Sequence, residues 1–144
     1  MKSCRLQTSH LSHSLQETIS IGKRLAEQLQ VGDIISLEGM LGVGKTALIK
    51  AIVSHLHGID PSEITSPTFA FLHIYEGNPI IYHFDLYRLK TPLEFLERGF
   101  DDYFYQGICL IEWGDQIHSL LPKDVLHIAM QYTSQHARKI QIHL

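Results

Sequence analysis

"LEGMLGVGKTALIK", Leu37 to Lys50, decides the fold. Gly39, Gly44, Lys45 and Thr46 fit the pattern G-x-x-x-x-G-K-[ST]. The chemistry demands these residue types. Phosphate oxygens must approach backbone N–H groups closely, and side chains at Gly39, Gly42 and Gly44 would obstruct that approach. A helix starting at the loop adds the partial positive charge of its N-terminus. Lys45 is placed to reach the β- and γ-phosphates, and Thr46 to offer its hydroxyl to Mg²⁺. The whole loop, Gly39, Met40, Leu41, Gly42, Val43, Gly44, Lys45, Thr46 and Ala47, is therefore read as nucleotide-binding.

Working outward, "IISL" at 34–37 is an apolar run of the buried-strand kind, and a helix is expected from Thr46 to His57, stopping near Gly58 with Pro61 beyond. Upstream, "CRLQT" at 4–8 reads as a short strand, and "SLQE" at 14–17 as a capping box. The helix it opens would carry Leu15, Ile19, Gly22, Ala26 and Leu29 on one face until "VGD" at 31–33 breaks it. Downstream, "FAFLHIY" at 69–75 and "IIYHF" at 80–84 read as a hairpin around the turn "EGNP". "TPLEFLER" at 91–98 has Thr91 as cap and Pro92 at the first helical position. "ICLI" at 108–111 is a further buried strand. "DQIHSLL" is a short helix or turn ended by Pro122. "VLHIAMQY" and "RKIQIHL" form a terminal hairpin. The expectation is one α/β domain over residues 1–144, P-loop NTPase-like, with a mixed parallel and antiparallel sheet flanked by helices.

A phosphate loop needs an acidic partner for magnesium and a group to orient water. Glu112 ends "ICLIE", so it is expected at the carboxyl edge of a buried strand, where ligands bind in open α/β sheets. Asp85 follows from "YHFDLYR", whose alternation places His83, Asp85 and Tyr87 on one face; a plain salt bridge with Arg88 is the competing reading. "TSPT", Thr65 to Thr68, gathers hydroxyls around a stiff proline and reads either as a γ-phosphate sensor or as an ordinary turn. Trp113 belongs either to the core or to the site.

Composition narrows the function. Net charge is −3, and the 12 Lys and Arg form no stripe, so direct grip on nucleic acid is not expected. Cys4 and Cys109 lack metal-ligand spacing, and Cys109 reads as a small buried side chain. The opening "MKSCRLQTSHLSHSLQ" lacks an apolar signal core and no run suits a bilayer, so a reducing cytoplasm with no membrane contact is expected. Among 10 histidines, His10 and His13 precede the capping box in a stretch expected to be mobile, and His55 and His57 close a helix, where cations are favoured. With no N-K-x-D or T-K-x-D in the chain, ATP is favoured over GTP. Only Arg88, Arg98 and Arg138 follow the loop, too few to clamp a second substrate as a small-molecule kinase must. A hydrolytic switch fits better than that kinase. The other rival is a nucleotide-sensing binding module that hydrolyses nothing.

"EGMLGVGKT", "SPT", "YHFDLYRL", "GFDDYF" and "ICLIEW", in this order and spacing, closely resemble the TsaE (YjeE) family of bacterial P-loop ATPases, from about Gly32 to Pro122. The resemblance implies a part in the threonylcarbamoyl modification of an adenosine in tRNAs that read codons beginning with A. It implies a weak ATPase that does not itself form the threonylcarbamoyl bond but binds the TsaB–TsaD complex, meets tRNA only through it, and supports its repeated turnover with ATP and Mg²⁺. Carried over, Lys45, Asp85 and Glu112 would be catalytic. Thr46 and Glu112 would be magnesium ligands, with Asp85 close to the metal and the attacking water, Arg138 near the nucleotide, and "SPT" a switch segment. Three positions depart from the family pattern: Met40 replaces an acidic residue, Val43 an alanine, and Ala47 a second hydroxyl residue.

Overall fold

The computed structural model describes residues 8–143. Seven strands form one sheet: β1 (Thr8–Ser12), β2 (Ile34–Glu38), β3 (Leu72–Tyr75), β4 (Ile81–Asp85), β5 (Ile108–Glu112), β6 (Leu126–Tyr132) and β7 (Arg138–His143). Their spatial order is β1-β7-β6-β2-β5-β4-β3. The middle of the sheet, β6-β2-β5-β4, is parallel, and both flanks close with antiparallel pairs. Three α-helices accompany it: α1 (Leu15–Ala26), α2 (Lys45–His57) and α3 (Pro92–Glu97). Short 3₁₀ turns occupy Pro61–Glu63, Phe100–Tyr103 and Gly114–Leu120.

Strand alternation divides the core into two layers. Ile35, Leu37, Ile108 and Leu110 face α1 and α2, meeting Leu25, Leu48 and Ile52. Ile34, Cys109, Ile111 and Phe84 face the other way, onto Phe95, Ile117 and Val125. Central strands covered on both sides must be apolar throughout, which is why "ICLI" and "IISL" carry almost no polar side chains. Burial of Cys109 pushes its thiol up to about 12, so it stays an inert core group.

α1 starts as expected: Ser14 caps it by accepting from Glu17 N–H at 3.1 Å, while the Glu17 carboxylate reaches back to His13 N–H at 2.6 Å. Its buried face differs from the one periodicity gives. Thr18, Ile21, Gly22, Leu25 and Ala26 are buried, Ile19 is only partly covered, and Leu15 is 55% exposed. Two contacts turn the helix this way. The Thr18 hydroxyl pairs with Ser12 Oγ at 2.7 Å beneath the helix. Gly22 lies so close to α2 that an added Cβ would stand 2.7 Å from Ala51 Cβ. Gly22→Ala is thus expected to destabilise the fold by about 1–3 kcal/mol through overpacking, read from a chemical denaturation midpoint; an unchanged midpoint would show that the helices separate freely.

Other expectations need correction. The first strand is Thr8–Ser12, paired with Arg138–Ile142; Cys4 to Gln7 of the expected strand lie outside the described residues. His10 is therefore part of the sheet rather than of a mobile lead-in. The strand expected over 69–75 begins only at Leu72, because Phe71 adopts φ 68°, a left-handed backbone that no strand continues through. β4 runs one residue further than expected, to Asp85, and Tyr87 falls beyond it.

Candidate functional site

The loop after β2 carries three glycines with positive φ, Gly39, Gly42 and Gly44. Gly39 has φ 147°, and a Cβ there would stand 2.5 Å from Met130 O on β6. Gly44 caps α2 in the left-handed conformation, φ 117°. Lys45 begins the helix, and its Nζ folds back to donate to Gly39 O and, at 3.1 Å, to Met40 O. The same ammonium sits 4.0 Å above the Trp113 ring. Burial lowers the Lys45 pKa from its ordinary value, while Glu112, Asp115 and Asp85 pull the other way.

The sheet brings the acids to this loop. Asp85 and Glu112 are direct register partners at the carboxyl ends of β4 and β5, and Leu37 of β2 pairs with Glu112 on the other side. Thr46 Oγ1 donates to Glu112 Oε1 at 2.7 Å, joining the start of α2 to the end of β5. Ser66 Oγ lies 2.6 Å from Asp85 Oδ2 and 2.9 Å from Glu112 Oε2, so its one hydrogen is shared between two acids. Thr68 Oγ1 adds a contact to Asp85 Oδ2 at 3.3 Å, and Tyr87 N–H donates to Asp85 Oδ1 at 3.0 Å. Asp85 is thus engaged by the "TSPT" hydroxyls, and Arg88 instead lies over the Phe69 ring at 4.3 Å.

Burial alone would raise the Glu112 carboxyl. Hydrogen bonds from His83, Thr46 and Ser66 outweigh it and hold the group below the usual range, so it is ionised. Thr46, Ser66, Thr68, Asp85 and Glu112 line a cleft of about 400 Å³, with Leu41, Gly42, Gly44, Lys45, Tyr87 and Trp113 completing its walls. Trp113, with φ 60°, belongs to this wall, where Tyr87 packs on it at 5.0 Å between ring centres. Arg138 stands beside the loop: its Nη1 would be 3.0 Å from a Cβ on Gly44. Met40 and Leu41 are 62% and 69% exposed, Val43 is fully buried beneath the loop, and Ala47 is half-buried on α2.

The donor set suits a hard, oxygen-loving cation. Mg²⁺ takes oxygen ligands, one or two carboxylates at most, and relies on phosphates and water for the rest. Among the described residues no three His, Cys, Asp or Glu side chains converge on one metal position. What converges is two carboxylates and the hydroxyls of Thr46 and Ser66, next to a phosphate-shaped loop.

Two features escape motif reading. His83 Nε2 contacts Glu112 Oε2 at 2.7 Å, although the alternation only places His83 on Asp85's face. Tyr132 OH donates to Gly42 O at 2.8 Å, tying β6 to the loop from 90 residues away. The first was signalled by strand register, since a residue two before Asp85 lies diagonal to Glu112. The second had no local signal.

Known proteins resemble the chain over most of its length. The family described as "Threonylcarbamoyl adenosine biosynthesis protein TsaE" matches residues 12–140. The tRNA threonylcarbamoyladenosine biosynthesis protein TsaE of Treponema pallidum is 36% identical over 133 residues, covering 92% of this chain and 97% of the relative. The protein of that name in Bacillus subtilis is 38% identical over 127 residues, covering 87% and 78%. The crystal structure of YdiB from Bacillus subtilis superposes with a TM-score of 0.76 at 33% identity, covering 94% of this chain and 84% of that one. The chain belongs to the TsaE family.

Proposed function

We propose that this chain is a magnesium-dependent ATPase that supports the TsaB–TsaD complex in threonylcarbamoyl modification of tRNA adenosine. The role in threonylcarbamoyladenosine biosynthesis follows from the family and from relatives that carry that name. The observation that carries the chemistry is the 2.7 Å contact between Thr46 Oγ1 and Glu112 Oε1. It joins a phosphate loop to an ionised acid at one point, and it supplies both halves of a nucleotide engine.

In this reading the loop amides from Gly42 to Thr46 hold the phosphates, and Lys45 leaves its carbonyl partners for the phosphate oxygens. Thr46 and Glu112 would hold the magnesium, with Asp85 as the neighbouring acid. Magnesium, when bound, neutralises charge developing on the phosphates. Asp85, fixed by Tyr87 N–H and the "TSPT" hydroxyls, orients the attacking water. Because Ser66 grips both carboxylates and Thr68 grips Asp85, a change in phosphate state alters the 65–68 segment and, with it, exposed Phe69. Met40, Leu41, Phe69 and Tyr87 are exposed apolar side chains around the cleft, a surface suited to protein rather than to tRNA. The acidic net charge agrees with contact to tRNA through the complex only. A cytoplasmic location completes the reading; among the described residues no helix is long and apolar enough to cross a membrane.

The test is multiple-turnover tRNA modification by TsaB–TsaD with this chain added or withheld. Turnover beyond the first round should require the chain and ATP. Phosphate transfer to a small acceptor, with no gain for TsaB–TsaD, would instead identify a kinase. At the metal, Thr46→Ala should raise the Mg²⁺ concentration needed for half-maximal nucleotide binding by roughly tenfold. An unchanged magnesium titration would remove Thr46 from the ligand set.

A further inference from the structure

His83 is fully buried in β4, behind Glu112, and does not itself line the cleft. Its Nε2 stands 2.7 Å from Glu112 Oε2. Its Nδ1 is buried with no hydrogen-bond partner among the described residues. An ionised carboxylate only accepts, so the hydrogen in this contact belongs to Nε2. The opposite tautomer would press a ring lone pair against a carboxylate lone pair and leave an N–H orphaned in the core. The ring therefore has one task, and it faces Glu112.

The division of the carboxylate's contacts defines that task. Oε1 receives Thr46 at 2.7 Å, while Oε2 receives His83 at 2.7 Å and Ser66 at 2.9 Å. Ser66 is shared with Asp85 and belongs to the segment expected to move, so it is an uncertain anchor. His83 comes from the sheet, opposite Leu110 in register, and is walled in by packing. It is the fixed donor.

We propose that His83 is a positioning residue whose Nε2–H holds Glu112 Oε2 from inside the sheet, so that Oε1 stays turned toward Thr46 and the two oxygens meet a divalent cation as a preset pair. This inference rests on the magnesium role given to Thr46 and Glu112 above. Outer partners that orient a metal-binding carboxylate typically govern 10–100-fold of metal affinity, that is, roughly one to two orders of magnitude.

The experiment compares His83→Asn with His83→Gln in the full chain. Both keep a buried carboxamide, but only the longer Gln places a donor near the position of the ring Nε2. Trp113 is the sole tryptophan in the sequence and lies under Lys45 beside Glu112, so its fluorescence reports the site. Mg²⁺ is titrated into the ADP-loaded chain, and ADP affinity is measured separately in EDTA. His83→Asn should raise the magnesium half-point roughly tenfold or more, His83→Gln should stay within about threefold, and magnesium-free ADP affinity should hold within about twofold for both. A role limited to packing would move ADP affinity and the magnesium half-point together.

A wild-type response to magnesium with an identical His83→Asn response would overturn the inference, as would equal shifts in both variants. A wild-type chain indifferent to magnesium would overturn the magnesium reading itself, and this inference with it. If His83→Asn does not fold, the imidazole ¹⁵N spectrum of the wild type decides: a proton on Nε2 is expected, and an unprotonated Nε2 would overturn the proposal.

Discussion

Replacing Glu112 with glutamine is expected to lower ATP hydrolysis by roughly a hundredfold or more at saturating magnesium. The substitution keeps shape and most hydrogen-bonding capacity, so Thr46 and Ser66 retain a neighbour to contact. What disappears is the negative charge. His83, Thr46 and Ser66 together hold Glu112 ionised inside the sheet against the cost of burial, and a protein that maintains such a charge loses most where that charge meets a metal. Nucleotide binding should fall far less than turnover, since the loop amides and Lys45 are untouched. Phosphate release under single-turnover conditions, with affinity measured in parallel, separates the two quantities. Equal hydrolysis by wild type and Glu112→Gln would leave a nucleotide-sensing module as the better description.

Lys45→Ala should act on the other quantity. The ammonium is buried, cradled by Gly39 O and Met40 O, and lies over Trp113. A charge-assisted contact to phosphate contributes about 1.5–3 kcal/mol, so nucleotide affinity should fall roughly 10–150-fold. Removing a buried cation from beside two carboxylates also leaves Asp85 and Glu112 less compensated, which adds to the loss once phosphates approach. Calorimetric titration suits the measurement, because Trp113 emission changes with its cation partner whether or not nucleotide binds. Retained affinity would mean that Lys45 serves only to close the loop on its own carbonyls.

The sequence made the centre of this molecule legible because its signals there are local. A phosphate loop between a buried strand and a helix is a pattern of adjacent residues, and β2, α2 and β5 lie where pattern and apolar runs place them. Glu112 was readable as the end of such a run, and its approach to Thr46 follows from β5 pairing with β2. The flanks were less legible. β1 reads "TSHLS", with no apolar alternation, and exists because β7 offers it an edge. The face of α1 is set by a buried Ser12–Thr18 pair and by contact at Gly22, neither of which hydrophobic periodicity detects. "FAFLHIY" satisfies strand preference throughout, yet Phe71 turns left-handed and its carbonyl accepts Asp85 N–H at 3.0 Å. Within the site, His83 was visible as a face-mate of Asp85, but its bond to Glu112 depends on strand register that one strand alone does not specify.

The most direct measurement is the location of Mn²⁺, by its anomalous scattering, in crystals of the ADP complex. The account predicts a metal bonded to Thr46 Oγ1 at about 2.2 Å and held by the Glu112 carboxylate directly or through one water. A metal bound elsewhere, with the Thr46–Glu112 hydrogen bond intact beside a filled nucleotide site, would contradict it.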